Sequence, residues 1–215
     1  MTHELKLIGV EEKIYLMFIS EAWLYQCDLE TTLALLSSVY SYHLNSDDSF
    51  DPELPLYRSR AYGGTLILWR RSLDRFVTVM ETTSSRILPF ILDIPGLAIT
   101  AHICVYLPQA NLETEFLDQL SKLEEIVEKI EEKYNDIPIF IRGDANASIP
   151  VRTANKRDVL FGFFCDRINL TATLTNHKTY HHFVGEGNSD SSIDLILHKN
   201  STRDVVYICD EIKLN

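Results

Sequence analysis

Short apolar runs punctuate this chain, and they limit what it can become. Lys13 to Ile19 is almost wholly apolar, and Ile137 to Ile141 is another such run. A run this short, without a polar face, reads as a strand buried on both sides. The stretch Ile87 to Leu107 is the most apolar of all, yet it contains Pro89, Asp93, Pro95 and Gly96. That composition argues against a membrane span. Asp93-Ile94-Pro95-Gly96, with its adjacent proline and glycine, predicts a turn that divides the stretch into two buried strands, Ile87 to Leu92 and Leu97 to Tyr106. Gly63-Gly64 opens a further strand, Thr65 to Trp69, with Arg75 to Met80 as its hairpin neighbour. Ser192 to Leu197 and Val205 to Cys209 close the series.

Helical periodicity fills the gaps. Phe116, Leu120, Leu123, Val127, Ile130 and Tyr134 recur in steps of three and four, the clearest element in the chain. Asp28 can cap a helix carrying Leu29, Leu33, Leu36 and Tyr40. Asn155 to Ile168 predicts a third helix, with Val159, Leu160, Phe163 and Phe164 inward. Asn45 to Pro55 reads as a loop. Strands outnumber helices and come both as hairpins and in strand–helix alternation. The expectation is therefore an α/β fold with mixed sheets, organised as one domain over 1–215.

The net charge of −11 argues against a general nucleic-acid binder. It is unevenly spread, however. Glu113 to Asp136 holds nine acids and three lysines, a net of −6, which leaves −5 for the remainder. A basic surface is still open to Arg58, Arg60, Arg70, Arg71, Arg75, Arg142, Arg152, Lys156 and Arg157, or these are scattered solubilising charges. Cys27, Cys104, Cys165 and Cys209 lack metal-ligand spacing and read as reduced thiols of an intracellular protein. Met1 to Glu12 mixes charges with apolar residues, so no signal peptide is expected, and neither a membrane nor an obligate protein partner is indicated.

Ligand sites of such folds gather where strands end, and three acids sit at or in strands: Glu21, Asp144 and Asp194. In Gly143-Asp144-Ala145-Asn146, glycine permits a sharp turn, and the acid and amide lie two residues apart. A carboxylate there can accept a proton from an attacking water, and the amide can hold that water or a phosphate oxygen. The same tetrapeptide also serves as an ordinary turn. Glu21 ends a buried run and suits Mg²⁺, which favours oxygen ligands, or is a surface acid at a loop entrance. Asp194, inside Ser192-Ile193-Asp194-Leu195-Ile196-Leu197, is expected to be buried and so to need a partner. Tyr106, before Leu107-Pro108-Gln109, can point its hydroxyl into a cleft or simply pack. His177, His181 and His182 lack zinc-site spacing, and Thr179-Tyr180-His181 reads as a strand entry.

Taken in order, Ser20-Glu21-Ala22-Trp23-Leu24, Gly63-Gly64-Thr65-Leu66-Ile67-Leu68, Val105-Tyr106-Leu107-Pro108, Gly143-Asp144-Ala145-Asn146, Thr179-Tyr180 and Ser192-Ile193-Asp194 resemble the landmarks of the endonuclease/exonuclease/phosphatase superfamily. The nearest likeness is to endonuclease domains of non-LTR retrotransposons, and then to apurinic/apyrimidinic endonucleases. The resemblance implies a DNase I-like four-layer sandwich of two mixed β-sheets flanked by helices. It implies Mg²⁺, with Mn²⁺ as an alternative, held by Glu21. Asp144 would activate the attacking water, Asn146 would orient water or phosphate, Tyr106 would contact the scissile phosphate, and Asp194 would orient a catalytic histidine. Thr179 and Gln109 would contact the substrate. The activity implied is a DNA endonuclease that nicks one strand to leave a 3′ hydroxyl, nuclear if DNA is its substrate.

Three departures accompany the resemblance. The family carries an active-site Asn on a strand well before its Glu, whereas the first Asn here is Asn45. The family closes with Ser-Asp-His and a short strand, and no histidine follows His198. Gln109 stands where the family often has Asn. The expectation is a domain lacking the first and last of the family's strands, with lowered stability. Two further readings follow: a catalytically impaired relic or binding fragment, and a phosphatase of the same superfamily.

Overall fold

Side chains alternate along β3 (Tyr62–Arg70), and the alternation sets the layers. Leu66 and Leu68 face one apolar cluster; Ile67 and Trp69 face another. A strand with two apolar faces must be covered on both. The computed structural model describes residues 14–47, 62–109, 112–149, 155–173, 180–184, 187–191 and 194–200, and in it both faces of β3 are covered.

β3 is the centre of a three-stranded antiparallel sheet. β1 (Leu16–Ser20) pairs along one edge, from Leu16 opposite Trp69 to Ser20 opposite Thr65. β2 (Tyr40–Asp47) pairs along the other, with a bulge between Asn45 and Asp47. A five-residue helix, α1 (Leu29–Leu33), and the turns after it cover the outer face with Leu29, Leu33 and Leu36.

The larger sheet has six strands, in the order β4 (Val77–Val79), β5 (Ile87–Leu92), β6 (Thr100–Tyr106), β7 (Ile139–Asp144), β11 (Asp194–Lys199) and β8 (Thr171–Thr173). β6 and β7 are parallel, and the other neighbours are antiparallel. A parallel pair needs a crossover, and α2 (Glu113–Tyr134) provides it. α2 and α3 (Lys156–Arg167) cover one face of this sheet over Ile87, Ile103, Val105, Ile139 and Ile141. Its other face meets the small sheet through Leu88, Phe90 and Cys104. The four layers are α1 with its turns, the small sheet, the large sheet, and α2 with α3. β9 (Tyr180–Val184) and β10 (Gly187–Ser191) form a separate hairpin.

Several expectations are corrected. The helix after Asp28 ends at Leu33, and Asp28 makes no side-chain cap. Successive turns, such as Tyr40 N–H to Leu36 O at 2.8 Å, mimic helical spacing until Tyr40 enters β2. Asn45 to Asp47 is strand, not loop. β4 pairs with β5 rather than with β3, because the 3₁₀ segment Arg71–Phe76 carries the chain from one sheet to the other. α3 turns Phe161, Phe164 and Cys165 inward and leaves Val159 and Phe163 exposed; apolar residues on two of its faces made the periodicity ambiguous. Cys104 and Cys165 are buried free thiols and Cys27 is an exposed one. The strand expected at Val205 to Cys209 lies outside the described residues. Among the described residues, no helix is long and apolar enough to cross a membrane.

Candidate active site

Strand parity places the polar residues. In β7, Ile139 and Ile141 face the helices, so Phe140, Arg142 and Asp144 face the small sheet. In β6 the same count puts His102, Cys104 and Tyr106 on that face. Register then gathers them at one end: Tyr106 is level with Asp144 across the parallel pair, and Asp194 is directly opposite Asp144 across the antiparallel one. β1 ends at this same end, with Ser20 level with Thr65, and Glu21 follows it.

Backbone geometry fixes the end of β1. Ala22 and Trp23 N–H groups donate to Gly64 O and Gly63 O at 3.1 and 2.8 Å. Glu21, Trp23 and Asn146 all hold positive φ, at 55°, 51° and 46°, an uncommon state for side-chain-bearing residues that gathers at functional sites. Gly143 is required for a different reason. A Cβ there would lie 2.1 Å from Val105 O, so only glycine lets β7 run this close to β6.

Asp144 is the centre of the arrangement. Its Oδ1 accepts the Asn146 backbone N–H at 2.7 Å, and its Oδ2 accepts the Asn146 amide at 3.2 Å. The same Asn146 amide donates to Leu107 O at 2.8 Å, which ties the β7 loop to the β6 loop. Burial pushes the Asp144 carboxyl up to about 7. The Asn146 backbone bond pulls it down, and the negative charges of Asp194 and Glu21 push it up again. Three acids from three strand ends therefore share one field. Mutual repulsion among carboxylates is what a bound dication relieves. Among the described residues no three His, Cys, Asp or Glu side chains are grouped to hold a metal together. The donor set instead fits a hard ion that binds through one or two carboxylates and keeps its waters, as Mg²⁺ does.

Arg157 holds this end together. Its Nη1 donates to Pro108 O and, at 3.3 Å, to Asn146 O; its Nη2 donates to Gln109 O. The guanidinium also rests 4.2 Å from the centre of the Phe116 ring. It is a buried clamp between two loops, not the surface base expected from its charge. Its alignment with Phe161 and Phe164 on one helical face was the signal that could have revealed this. Arg142 is likewise turned inward, over Phe18 and Phe140. Arg70 donates to Ile14 O, and Lys156 pairs with Glu113. Arg71 and Arg75 are exposed, while Arg58, Arg60 and Arg152 lie outside the described residues.

The other expected residues divide. Tyr106 is at the site end but fully buried, its ring under the Arg86 guanidinium at 5.2 Å and so close to Gly63 that a Cβ there would sit 2.8 Å from it. Asp194 is exposed, not buried as its apolar strand suggested, because it is the first residue of β11. The Gln109 side chain is exposed, and its backbone oxygen is taken by Arg157. Thr179 and His177 lie outside the described residues, and of His181 and His182 only the strand backbone is described. Arg86, whose Nε donates to Glu115 Oε1 at 3.0 Å, was not anticipated.

No family model and no curated protein sequence matches the chain. Solved structures do. The endonuclease domain of TRAS1, a telomere-specific non-LTR retrotransposon, superposes with a TM-score of 0.58 at 13% identity, over 91% of this chain and 78% of that one. TDP2 from D. rerio, solved with a single-strand DNA product, gives 0.55 at 16% identity, over 92% and 76%. An endonuclease/exonuclease/phosphatase protein from Beutenbergia cavernae DSM 12333 gives 0.57 at 14% identity, over 91% of this chain and 58% of that one. With one mixed and one antiparallel sheet between helical layers, the chain shares the DNase I-like fold of these structures.

Proposed function

We propose that this chain is a Mg²⁺-dependent phosphodiesterase that acts on DNA, nicking one strand as an endonuclease of the retrotransposon type. The observation that carries the reading is Asp144. It is a buried carboxyl held by two N–H donors of Asn146, raised to about 7, and faced by Asp194 and Glu21 at the end of a DNase I-like sandwich. A group with that affinity for protons is matched to general-base work near neutral pH.

In this reading a water oxygen attacks phosphorus while Asp144 takes its proton. The bond from phosphorus to the 3′ oxygen breaks, and that oxygen takes a proton from solvent to become the 3′ hydroxyl. Asn146 keeps both Asp144 oxygens oriented. Arg157 fixes the loops that carry Asn146 and Gln109, so the base stays within reach of its water. Glu21 would hold the ion, with the Asp144 carboxyl beside it. Bound there, Mg²⁺ supplies positive charge at the phosphoryl and leaving oxygens, and Mn²⁺ shares the same preference for oxygen. Support for DNA as substrate comes from the shared fold with the TRAS1 endonuclease domain and with TDP2, solved with a DNA product.

A second reading, a binding fragment without turnover, has one observation in its favour: Tyr106 is fully buried instead of lining an open cleft. Plasmid nicking separates the two. The enzyme reading expects nicks with Mg²⁺, none with EDTA, and none with Asp144→Ala. DNA binding without nicking would establish the second reading, and nicking that survives EDTA or Asp144→Ala would remove this site from the reaction.

A further inference from the structure

Away from the site, α2 and α3 leave a largely apolar groove of ≈ 260 Å³ between them, lined by Leu117, Leu120, Ser121, Leu160, Phe163 and Phe164, with Arg167, paired to Glu124, at its edge. Its rim is exposed and apolar: Phe163 is 67% exposed and Leu117 41%. Val159, also exposed, lies one helical turn before Phe163. A large aromatic held in water beside a concave apolar surface is a mark of recognition.

The groove continues into charge. Leu117, Ser121, Glu125, Glu128 and Glu132 are all exposed and, at 100° per residue, fall within a sector of about 80° on α2. They span about 22 Å of helix axis. Neighbouring acids on α2 are neutralised: Glu113 by Lys156, Asp118 by Lys122, Glu124 by Arg167 and Glu131 by Lys199. Among the described residues, Glu125, Glu128 and Glu132 have no such cation. One face thus presents a largely apolar socket followed by three carboxylates in line, with Lys129 beside them and a net negative charge.

We infer that this face docks an amphipathic helix of a partner protein, with apolar residues at one end and lysines or arginines along the same side. The cleft between two helices accepts a third by the packing that joins the first two. Apolar anchors would cover Phe163 and Leu117, and the basic side chains would meet the glutamates and set the register. The net negative charge of this face repels a phosphate backbone, so the occupant is protein rather than nucleic acid.

The test uses the full chain and a labelled synthetic helical peptide of about 18 residues, roughly 27 Å long. Two leucines and a phenylalanine occupy one end of a face and four lysines continue it. Fluorescence anisotropy is expected to show saturable binding that weakens with salt. The dissociation constant should rise at least tenfold with Phe163→Ser, and at least tenfold with Glu125→Lys plus Glu128→Lys. A peptide with glutamates in place of the lysines should not bind. Both sets of changes are on exposed side chains, and circular dichroism melts should confirm an unchanged fold. Binding that is indifferent to Phe163→Ser would overturn the inference. So would a dimer of this chain, seen by light scattering, that Phe163→Ser dissolves.

Discussion

Two regions of this molecule bury ionisable groups, and their difference separates chemistry from packing. Between the sheets, His102 is stacked against Phe90 and Phe140 at 5.0 and 5.3 Å. Burial and the Arg142 charge push it down to about 3, so it is neutral at any ordinary pH. At the strand ends, Asp144 is pushed the opposite way relative to neutrality, to about 7, where it can gain or lose a proton. The same sheet face carries both. His102 meets aromatic rings and a cation; Asp144 meets the backbone and side-chain N–H donors of Asn146 and other acids. The lesson is that a perturbed buried group points to function when its neighbours leave it able to titrate near neutral pH.

The largest expected difference is in activity. Asp144→Asn should lower the nicking rate about 10³-fold, while His102→Phe, in the interior, should leave it within roughly threefold of wild type. Equal losses in the two variants would erase the contrast. Gly143→Ala should be next, since its Cβ meets Val105 O. We expect a destabilisation of about 3 kcal/mol, or roughly 6–12 °C in Tm, read from a thermal melt. Arg157→Ala should release three loop carbonyls at the site end, costing about 2 kcal/mol in a urea melt and lowering kcat by roughly 10²-fold. Arg157→Lys, a point charge in place of a planar fork, should recover stability more than rate.

The smallest effect is in pH dependence, and it has opposite signs in the two regions. Asp144 is raised in the fold, so in metal-free protein its contribution is fully present below its unfolded value of 3.8 and is lost as pH rises through about 7. His102 is lowered, so its contribution is present above its unfolded value of 6.5 and is lost as pH falls toward about 3. Urea melts in EDTA should therefore show Asp144→Asn more stable than wild type at pH 7 but not at pH 4. His102→Phe should flatten the loss of stability from pH 6.5 downward. Identical pH profiles for wild type and both variants would remove the electrostatic basis of the comparison.

Much of this was legible in the sequence, for identifiable reasons. The apolar runs at β5 and β7 and the three-and-four spacing of α2 name their elements because burial on a fixed period leaves few alternatives. The placement of Glu21 and Asp144 at strand ends was also readable, because each stands where an apolar run stops. What was not readable depended on tertiary context. Arg157 looks like any surface base until the carbonyls of Pro108, Gln109 and Asn146 are brought around it. α3 carries apolar residues on two faces, and only packing against Phe116 selects Phe161 over Phe163. Asp194 sits in an apolar run, yet its place as the first residue of β11 leaves it exposed.

The central claim is that the acids at the strand ends form one site for one dication. Isothermal titration of Mg²⁺ into the metal-free full chain tests it most directly, alongside Glu21→Gln and Asp144→Asn. The account predicts one saturable site in the wild type, weakened at least tenfold in each variant. Absence of saturable binding in the wild type, or binding unchanged by both substitutions, would contradict it.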